Sequence, residues 1–416
     1  MRHSTPSWSL ALLALSLLAL PGCYGDLFGD AAEDEDTVRP LDASLEAQTA
    51  SDLFQMAADD HRVPRDLLVA LAWNESSFAP GDHDHDEHRP AHGWMALTPE
   101  RVAWAAELTG YPVEAIESER PANIFAGAAV LSALRDELNA FASPTTPDEG
   151  WWEIVVAWSE FGQEWMDHDF AREVFSTLQA GVGSQTLNGD ILSLEPRVIE
   201  GLATVRYVAP PSTDGGDQHA GVGYPGRARF TPAHSSNQSY RSNGTNSINR
   251  VVIHTTEGSY NGAISWFQNA SSNVSAHYVL RKSDGEVTQM VADDRKAWHA
   301  CSNNNDTIGI EHEGASSNPA TWTPAIFDSS ARLTAWLVTQ YDIPIDRNHI
   351  VGHGEVQPAS CSFRSDPGPH FDWDAYLQKI AYYAGATSAA PEAPVDDPDG
   401  VDAPDDPLVR DLERAE

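Results

Sequence analysis

Residues 251–258 read VVIHTTEG, and this stretch decides how the second half of the chain is expected to fold. The β-branched residues 251–253 are typical of a short buried strand, and His254 stands at its end. The same pattern, an apolar run followed by a reactive side chain, recurs at Glu311 and at His353. Several predicted strands therefore end in acids or imidazoles.

Further strands and helices follow along the chain. Residues 278–281 and 287–291 are β-rich and flank Ser283-Asp284-Gly285, which is a hairpin signal. Residues 331–341 form a predicted helix. Strands and helices mixed in this way predict that residues 247–385 form an α/β domain, with a central mixed sheet flanked by helices.

The first half of the chain has a different pattern. Leucine and alanine recur at helix spacing between residues 46 and 182, which predicts an all-α domain. Gly, Ser, Pro and Asn dominate residues 183–246, which we interpret as a linker with a few short ordered pieces. The acidic segments 24–45 and 386–416 are predicted to be a disordered tether and a disordered tail. The chain is therefore predicted to be multidomain.

The N-terminus has the features of an export signal. Residues 8–20 form an apolar run that is shorter than a typical membrane span. The run leads to Leu20-Pro21-Gly22-Cys23, which resembles a bacterial lipoprotein box. The resemblance implies that residues 1–23 are a signal peptide, that Cys23 is lipidated, and that the protein lies in the cell envelope, anchored to the outer membrane and facing the periplasm. The alternative is an ordinary signal peptide with an incidental cysteine.

Composition limits the partners and the redox chemistry. The formal net charge is −37, which argues against nucleic acid as a partner, because its phosphates would repel the chain. The chain has three cysteines. Since Cys23 belongs to the leader, Cys301 and Cys361 remain as a candidate disulfide, which requires an oxidising compartment.

The reactive residues at the strand ends match the needs of a hydrolytic zinc site. Such a site has three nitrogen, oxygen or sulfur ligands, an open position for water and a general base nearby. Two imidazoles, one carboxylate and a separate glutamate meet these needs. Because the chain has 16 histidines and many acids, this chemistry alone is a weak signal.

Six stretches in order are similar to the zinc-dependent N-acetylmuramoyl-L-alanine amidase family of type 2, which includes phage amidases and the peptidoglycan recognition proteins. They are VVIHTTEG (251–258), SAHY (275–278), AWHA (297–300), IGIEHEG (308–314), VGH (351–353) and DPGPHFDW (366–373). The resemblance implies a hydrolase that cuts the amide bond between the N-acetylmuramoyl lactyl group and L-alanine in peptidoglycan, in cell-wall turnover or remodelling. It also implies Zn²⁺ as the cofactor.

The resemblance assigns roles to single residues. It implies three zinc ligands: His254, His353 and Asp366. Glu311 would be the general base that acts on a zinc-activated water. Arg364 stands where many members carry a lysine that steadies the oxyanion, and it keeps the charge but differs in shape.

Some of these assignments have alternatives. Some relatives use a cysteine ligand soon after the second histidine, so Cys361 is an alternative to Asp366, while its simpler role is a disulfide with Cys301. Glu313 falls on the same strand face as Glu311 and is the alternative base. Further histidines in the family stretches are interpreted as structural or pocket-lining: His277, His299 and His370.

Residues 51–180 resemble, more faintly, soluble lytic transglycosylases and goose-type lysozymes. The matching stretches are VPRDLL (63–68), AWNESSF (72–78), GWMALTP (93–99) and NIFAG (123–127). The resemblance implies that Glu75 is the acid that protonates the glycosidic oxygen. Ala96 replaces a glutamine that is usual there, and Trp158-Ser159 replace a usual Tyr-Asn pair. Two interpretations stay open: a lysozyme-like domain that cleaves glycan strands, or one that binds them.

Two hypotheses from different classes therefore stand for the whole chain. The first is a zinc amidase acting on peptidoglycan, bifunctional if Glu75 also cleaves glycan. The second is a non-catalytic peptidoglycan-recognition lipoprotein. The filled ligand positions and Glu311 favour the first.

The loop 82–92, rich in His and Asp, is interpreted as solvated rather than metal-binding, since it lacks the glycine spacing of a calcium loop.

Overall fold

The computed structural model describes residues 42–78, 91–138, 140–146, 148–185, 190–199, 223–356, 360–361 and 364–385. The predicted signal peptide with Cys23, most of the predicted tether, most of the loop 82–92 and the predicted acidic tail lie outside these ranges. Within them, no helix has an apolar stretch long enough to cross a bilayer.

The N-terminal half consists mainly of helices. They are α1 (Ala50–His61), α2 (Arg65–Ser76), α3 (Pro99–Thr109), α4 (Val113–Ser118), α5 (Arg120–Glu137), α6 (Trp152–Ser159) and α7 (Glu164–Ala180). Side chains cap several of them; Thr98, for example, accepts a hydrogen bond from the Arg101 amide at the start of α3. A two-stranded ribbon, β1 (Val182–Gln185) and β2 (Ile191–Leu194), follows α7. The helical character predicted for this half is confirmed.

The C-terminal half contains a six-stranded sheet. Its strands are β3 (Arg229–Phe230), β5 (Arg250–Thr255), β6 (Tyr278–Leu280), β7 (Val287–Gln289), β9 (Thr307–His312) and β10 (Ile350–Gly352), in the spatial order β10-β5-β9-β6-β7-β3. A separate ribbon pairs β4 (Gln238–Tyr240) with β8 (Arg295–Ala297). Only β6 and β7 pair antiparallel in the large sheet, as the hairpin signal predicts.

Helices cover the sheet. They are α8 (Tyr260–Gln268), α9 (Pro324–Tyr341), the short α10 (His353–Val356) and α11 (Trp373–Tyr383). Val251 and Ile253 of β5 face α9 and α11, while α8 packs on the opposite face of the sheet. Side chains alternate along a strand, so His254 points to the face opposite α9. The predicted α/β architecture, a mixed sheet flanked by helices, is confirmed.

Short ordered pieces within the predicted linker and tether pack into the two halves. Within residues 183–246, Leu192 and Leu194 are buried in the core of the helical half, and Phe230 belongs to the large sheet. Leu45, assigned to the tether, is also buried among the helices. Strands of two to four residues are too short to produce a recognisable apolar period, which is why composition alone suggested a linker.

The two halves share a buried interface. Trp165 and Met166 of α7 pack with Tyr260 and Phe267 of α8 in one apolar cluster. The Lys282 ammonium group, from the turn between β6 and β7, donates to the Ser77 hydroxyl (2.6 Å) and to the Trp73 carbonyl (3.0 Å) of the helical half. The halves therefore pack directly against each other rather than being joined by chain alone.

Candidate metal centre and the neighbouring cleft

Parallel strand pairing brings the predicted site residues to one edge of the sheet. The register of β5 with β9 places His254 directly beside Glu311. The register of β10 with β5 places Gly352 beside Ile253, so His353 follows at the same edge. This is the edge formed by the carboxyl ends of parallel strands, where ligands commonly bind in α/β proteins.

Asp366 completes a group of three buried residues. Its Oδ2 lies 3.3 Å from His254 Nδ1, and its Oδ1 lies 3.2 Å from His353 Nδ1. One ligand atom from each residue can be chosen so that all three lie within 4.8 Å of one another. Two imidazoles and a carboxylate at this spacing could hold a metal ion.

The electrostatics of the group fit a cation. Burial raises the pKa of Asp366, but its contacts with the His254 and His353 rings lower that pKa more, so the net pKa lies well below the ordinary 3.8. The carboxyl group is therefore charged. The Nδ1 atoms of both rings face this carboxylate, so a cation held by the three residues would lie on the Nδ1 side of each ring. Two imidazole nitrogens and a carboxylate are a donor set that suits a metal such as zinc.

Glu311 lies beside the three residues. Its Oε1 is 3.9 Å from His254 Nδ1, and the residue is 1% exposed. The alternative base, Glu313, lies elsewhere: its Oε2 accepts a hydrogen bond from the Lys282 backbone amide (2.6 Å) at the interface between the halves. His312 points to the opposite face of the sheet, where its Nε2 lies 2.7 Å from the Ser330 hydroxyl.

Two further histidines lie behind the three candidate metal ligands His254, His353 and Asp366, which we call the metal group. His299 Nδ1 is 2.9 Å from His254 Nε2, and His299 Nε2 is 3.2 Å from the Thr307 hydroxyl. His277 Nδ1 accepts a hydrogen bond from the Gly309 amide (3.0 Å). Burial is the main cause that lowers the pKa of both rings, so both are neutral. The sequence interpretation gave them a structural role and missed the direct contact of His299 with His254; the AWHA stretch was the available signal.

A disulfide joins two segments next to the site. Cys301 and Cys361 are bonded, with their Cα atoms 6.7 Å apart. The Cys361 sulfur is thereby used in a covalent bond rather than as a metal ligand. Cys301 follows His299 by two residues, and Arg364 lies half-buried between Cys361 and Asp366.

Glu75 lies in a separate place, a cleft between the two halves. Its Oε1 accepts a hydrogen bond from Trp158 Nε1 (2.9 Å). The cleft is partly open to solvent, and its lining includes Glu75 and Arg101 from the helical half and the loop 256–259 from the α/β half. The predicted site residues thus divide between a metal group and this cleft.

One residue of the cleft wall connects the two places. The Glu257 side chain accepts hydrogen bonds from the Thr255 hydroxyl (2.6 Å) and the Ser316 amide (2.9 Å). Burial raises the pKa of Glu257, these hydrogen bonds partly oppose it, and the charge of Asp366 raises it further. The cleft therefore begins within three residues of His254 and within electrostatic reach of Asp366.

Comparison with known proteins relates the α/β half to a family. Residues 244–369 match the family model described as N-acetylmuramoyl-L-alanine amidase. The chain is 44% identical over 172 residues to N-acetylmuramoyl-L-alanine amidase A of Achromobacter lyticus, an alignment that covers 37% of this chain and 94% of that protein. The chain belongs to the N-acetylmuramoyl-L-alanine amidase family.

More distant amidases are also similar. The chain is 38% identical over 114 residues to the 1,6-anhydro-N-acetylmuramyl-L-alanine amidase AmpD of Citrobacter freundii, covering 25% of this chain and 56% of that protein. Among solved structures, the Staphylococcus aureus hydrolase AmiA is 16% identical, with 38% of this chain and 84% of that chain covered and a TM-score of 0.31. The amidase match at 244–369 includes His254, Glu311, His353 and Asp366 but not the helical half.

Proposed function

We propose that this protein is a zinc-dependent N-acetylmuramoyl-L-alanine amidase, which hydrolyses the amide bond between the N-acetylmuramoyl lactyl group and L-alanine in peptidoglycan. One observation carries the proposal. A buried group of His254, His353 and Asp366, with Glu311 beside it, lies inside the segment that matches the amidase family. The donor set of two imidazoles and a carboxylate is one that zinc takes in hydrolases.

The three ligand residues would hold zinc, with the rest of the coordination left for water or substrate. When bound, zinc acts as a Lewis acid and lowers the pKa of water, which makes hydrolysis feasible near neutral pH. Glu311 takes the proton from the attacking water as the new C–O bond forms. It then gives that proton to the alanine nitrogen as the C–N bond breaks. The products are a free lactyl carboxylate and a stem peptide with a free amine.

Arg364 is proposed to steady the negative charge on the carbonyl oxygen. The support is its position two residues before Asp366 and its permanent positive charge. Arg364→Lys should then keep most of kcat, and Arg364→Met should lower kcat by about 10²–10³-fold, the usual loss for an oxyanion donor. Equal activity of the Met variant and the wild type would remove Arg364 from the mechanism.

The cell envelope is the proposed place of action, with Cys23 lipidated and the protein anchored to the outer membrane on its periplasmic side. The support is the leader that ends in Leu20-Pro21-Gly22-Cys23. Mass spectrometry of the mature N-terminus tests this. We expect an acylated Cys23, and release of Cys23→Ser from the membrane fraction. An unmodified N-terminus elsewhere would contradict the anchor.

The decisive experiment digests purified peptidoglycan sacculi with the full chain and measures both zinc content and released stem peptides. We expect one zinc per chain and peptide release for the wild type. Glu311→Gln should keep zinc and lose most turnover, because the ligands remain while the base is gone. His353→Ala should lose both zinc and turnover.

Two results would count against the proposal. Peptide release that survives both chelation and His353→Ala would exclude the zinc mechanism. Zinc binding and sacculus binding with no peptide release would instead favour the non-catalytic peptidoglycan-recognition lipoprotein. Glu313→Gln is the matched control for Glu311→Gln, since Glu313 is equally buried on the same segment but contacts Lys282.

The cleft favours a second candidate activity, on the glycan strand. A carboxyl group at Glu75, held by Trp158 and facing a cleft with Arg101 and several hydroxyl groups, suits a carbohydrate ligand. If Glu75 protonates a glycosidic oxygen, sacculi should also release new sugar ends, anhydro ends if the sugar's own hydroxyl attacks and reducing ends if water attacks, and Glu75→Gln should abolish them while stem-peptide release continues. Glu100→Gln, an exposed change on α3, is the control. Absence of such ends with retained glycan binding would leave the cleft as a binding site.

A further inference from the structure

We infer that His299 is a positioning residue for the metal centre: it fixes the tautomer and the ring orientation of His254, so that His254 Nδ1 is the atom presented to the metal. The inference deepens the proposed function and rests on its metal group. It is carried by a chain of hydrogen bonds that starts at a backbone carbonyl and ends at His254.

The direction of each hydrogen bond follows from the first one. The Thr307 hydroxyl donates to the Asn303 carbonyl (2.8 Å), so its proton is already used. Thr307 Oγ1 therefore accepts from His299 Nε2, which lies 3.2 Å away and must carry a proton. A neutral imidazole has one N–H, so His299 Nδ1 is an acceptor. It then accepts from His254 Nε2 at 2.9 Å.

This direction leaves the lone pair of His254 on Nδ1. That atom faces Asp366 Oδ2 at 3.3 Å and Glu311 Oε1 at 3.9 Å. A nitrogen lone pair and two carboxylate oxygens repel one another unless a cation lies among them. The other tautomer would place a proton on Nδ1 and block coordination. His299 thus selects the form of His254 that binds metal, as partners of ligand histidines do in metal sites generally.

The surroundings of His299 hold its ring in place. The His299 backbone amide donates to Asn304 Oδ1 (2.9 Å), which ties the residue to its own loop. The ring lies over the strand at Gly309, where a Cβ atom would come within 2.5 Å of His299 Nδ1. The absence of a side chain at this point of β9 therefore makes room for the imidazole.

The test compares zinc affinity in variants of the full chain, by competition with a chelator of known affinity. His299→Leu removes the acceptor and should weaken zinc binding by about 10–100-fold, the usual effect of losing such a partner. His299→Asn restores an acceptor near the Nδ1 position and should recover most of that affinity. Thr307→Val should give a smaller loss, because His299 keeps its place but loses its fixed tautomer.

A second readout separates positioning from general destabilisation. Cobalt(II) substituted for zinc reports ligand geometry in its absorption spectrum, and His299→Leu should change that spectrum while His299→Asn should not. Thr334→Val is the matched control for Thr307→Val, since Thr334 is a buried hydroxyl that contacts Tyr376, away from the metal group. The control should leave both zinc affinity and the cobalt spectrum unchanged.

The outcomes are distinguishable from those of the proposed function. Wild-type zinc affinity and an unchanged cobalt spectrum in His299→Leu would overturn the inference, whatever the amidase activity. If His299→Leu does not fold, wild-type zinc affinity and cobalt spectrum in Thr307→Val would overturn the inference. If the zinc affinities of the wild type and the variants follow the predicted order, but the wild type releases no stem peptide, the positioning role is supported and the amidase reaction is refuted.

Discussion

At the scale of single residues, Gly309 leaves room for the ring of His299, which contacts the candidate metal ligand His254. It lies on β9, between Ile308 and Ile310, which point into the core under α9. Its own missing side chain would point toward His299. The space at Gly309 is therefore occupied by the ring that contacts His254.

Replacing Gly309 by alanine should weaken metal binding. The added Cβ would lie 2.5 Å from His299 Nδ1, so the ring must move away from His254. We expect a zinc affinity at least about 10-fold lower, measured by chelator competition, and about 1–3 kcal/mol less stability, as for other overpacked cores.

Gly183→Ala provides the control for this change, because a Cβ there meets no atom within 4 Å. It should leave zinc affinity unchanged. Equal zinc affinities in Gly309→Ala, Gly183→Ala and the wild type would show that the packing of His299 against β9 does not matter for the metal.

The sequence identifies the candidate metal ligands and the candidate base better than it identifies the residues that hydrogen-bond to them. His254, Glu311, His353 and Asp366 come from short stretches with a recognisable order, and the structure brings them together. The contact between His299 and His254 joins residues 45 apart, and its direction depends on Thr307. Local pattern carries no information about such a contact, since it exists only once strands and loops are packed.

At the scale of elements, Asp293 joins the sheet to a helix. It lies in the loop after β7. Its carboxylate accepts hydrogen bonds from the Tyr278 hydroxyl of β6 (2.7 Å) and from the Tyr341 hydroxyl at the end of α9 (2.6 Å). Burial raises the pKa of Asp293 from 3.8 to about 6, although these hydrogen bonds lower it in part.

This raised pKa predicts a pH dependence of stability. Between pH 4 and pH 6 the native state keeps a proton on Asp293 that the unfolded state has lost, so stability falls as the pH rises through this window. A rise from 3.8 to about 6 corresponds to about 3 kcal/mol.

Asp293→Asn should remove this pH dependence, because asparagine does not titrate. The difference in the free energy of unfolding, variant minus wild type, should therefore increase by up to about 3 kcal/mol between pH 4 and pH 6 and stay constant above pH 6. Urea unfolding at a series of pH values measures it. Parallel curves for the two proteins would mean that Asp293 titrates normally.

The elements were predictable to different degrees. The strand at 250–255, the hairpin at 278–289 and the helix at 324–341 carry clear β-branched, turn or apolar patterns, and the structure contains them. The strands at 229–230 and 238–240 do not, because their residues are ordinary loop residues that pair only when β7 and β8 are already present. Their pairing is a tertiary effect.

At the scale of the whole molecule, a buried ionic network holds the two halves together. The Arg281 guanidinium group, beside β6, lies 3.2 Å from Asp169 Oδ2 and 3.2 Å from Glu173 Oε1, both on α7. It also pairs with Asp284 and Glu286 of its own half. Burial, followed by the charge of Glu313, raises the pKa of Glu173 well above its ordinary value. Arg281 is thus a nearly buried cation that contacts both acids of α7, while Arg172 and Arg229 also lie beside Asp169.

Removing this cation should destabilise the protein strongly. Arg281→Met removes the guanidinium group that contacts Glu173 and one of the three that lie beside Asp169, so we expect a loss of about 3–5 kcal/mol in the free energy of unfolding. Calorimetry should also show the two halves unfolding less cooperatively, since the link between them is weakened.

Arg332→Met is the matched control, because the Arg332–Asp328 pair is an exposed ion pair within one helix. It should change stability by less than about 1 kcal/mol. If Arg281→Met behaves like Arg332→Met, the network contributes nothing to holding the halves together.

The same interface has a consequence for ligands of the cleft between Glu75 and Glu257. Its two walls belong to halves that are already fastened to each other by Arg281, Lys282 and the apolar contacts of α7 with α8. A ligand that spans the cleft does not have to draw two mobile bodies together, so it loses no free energy to that ordering. We therefore expect the separation of the two walls to limit which ligands can contact both of them at once.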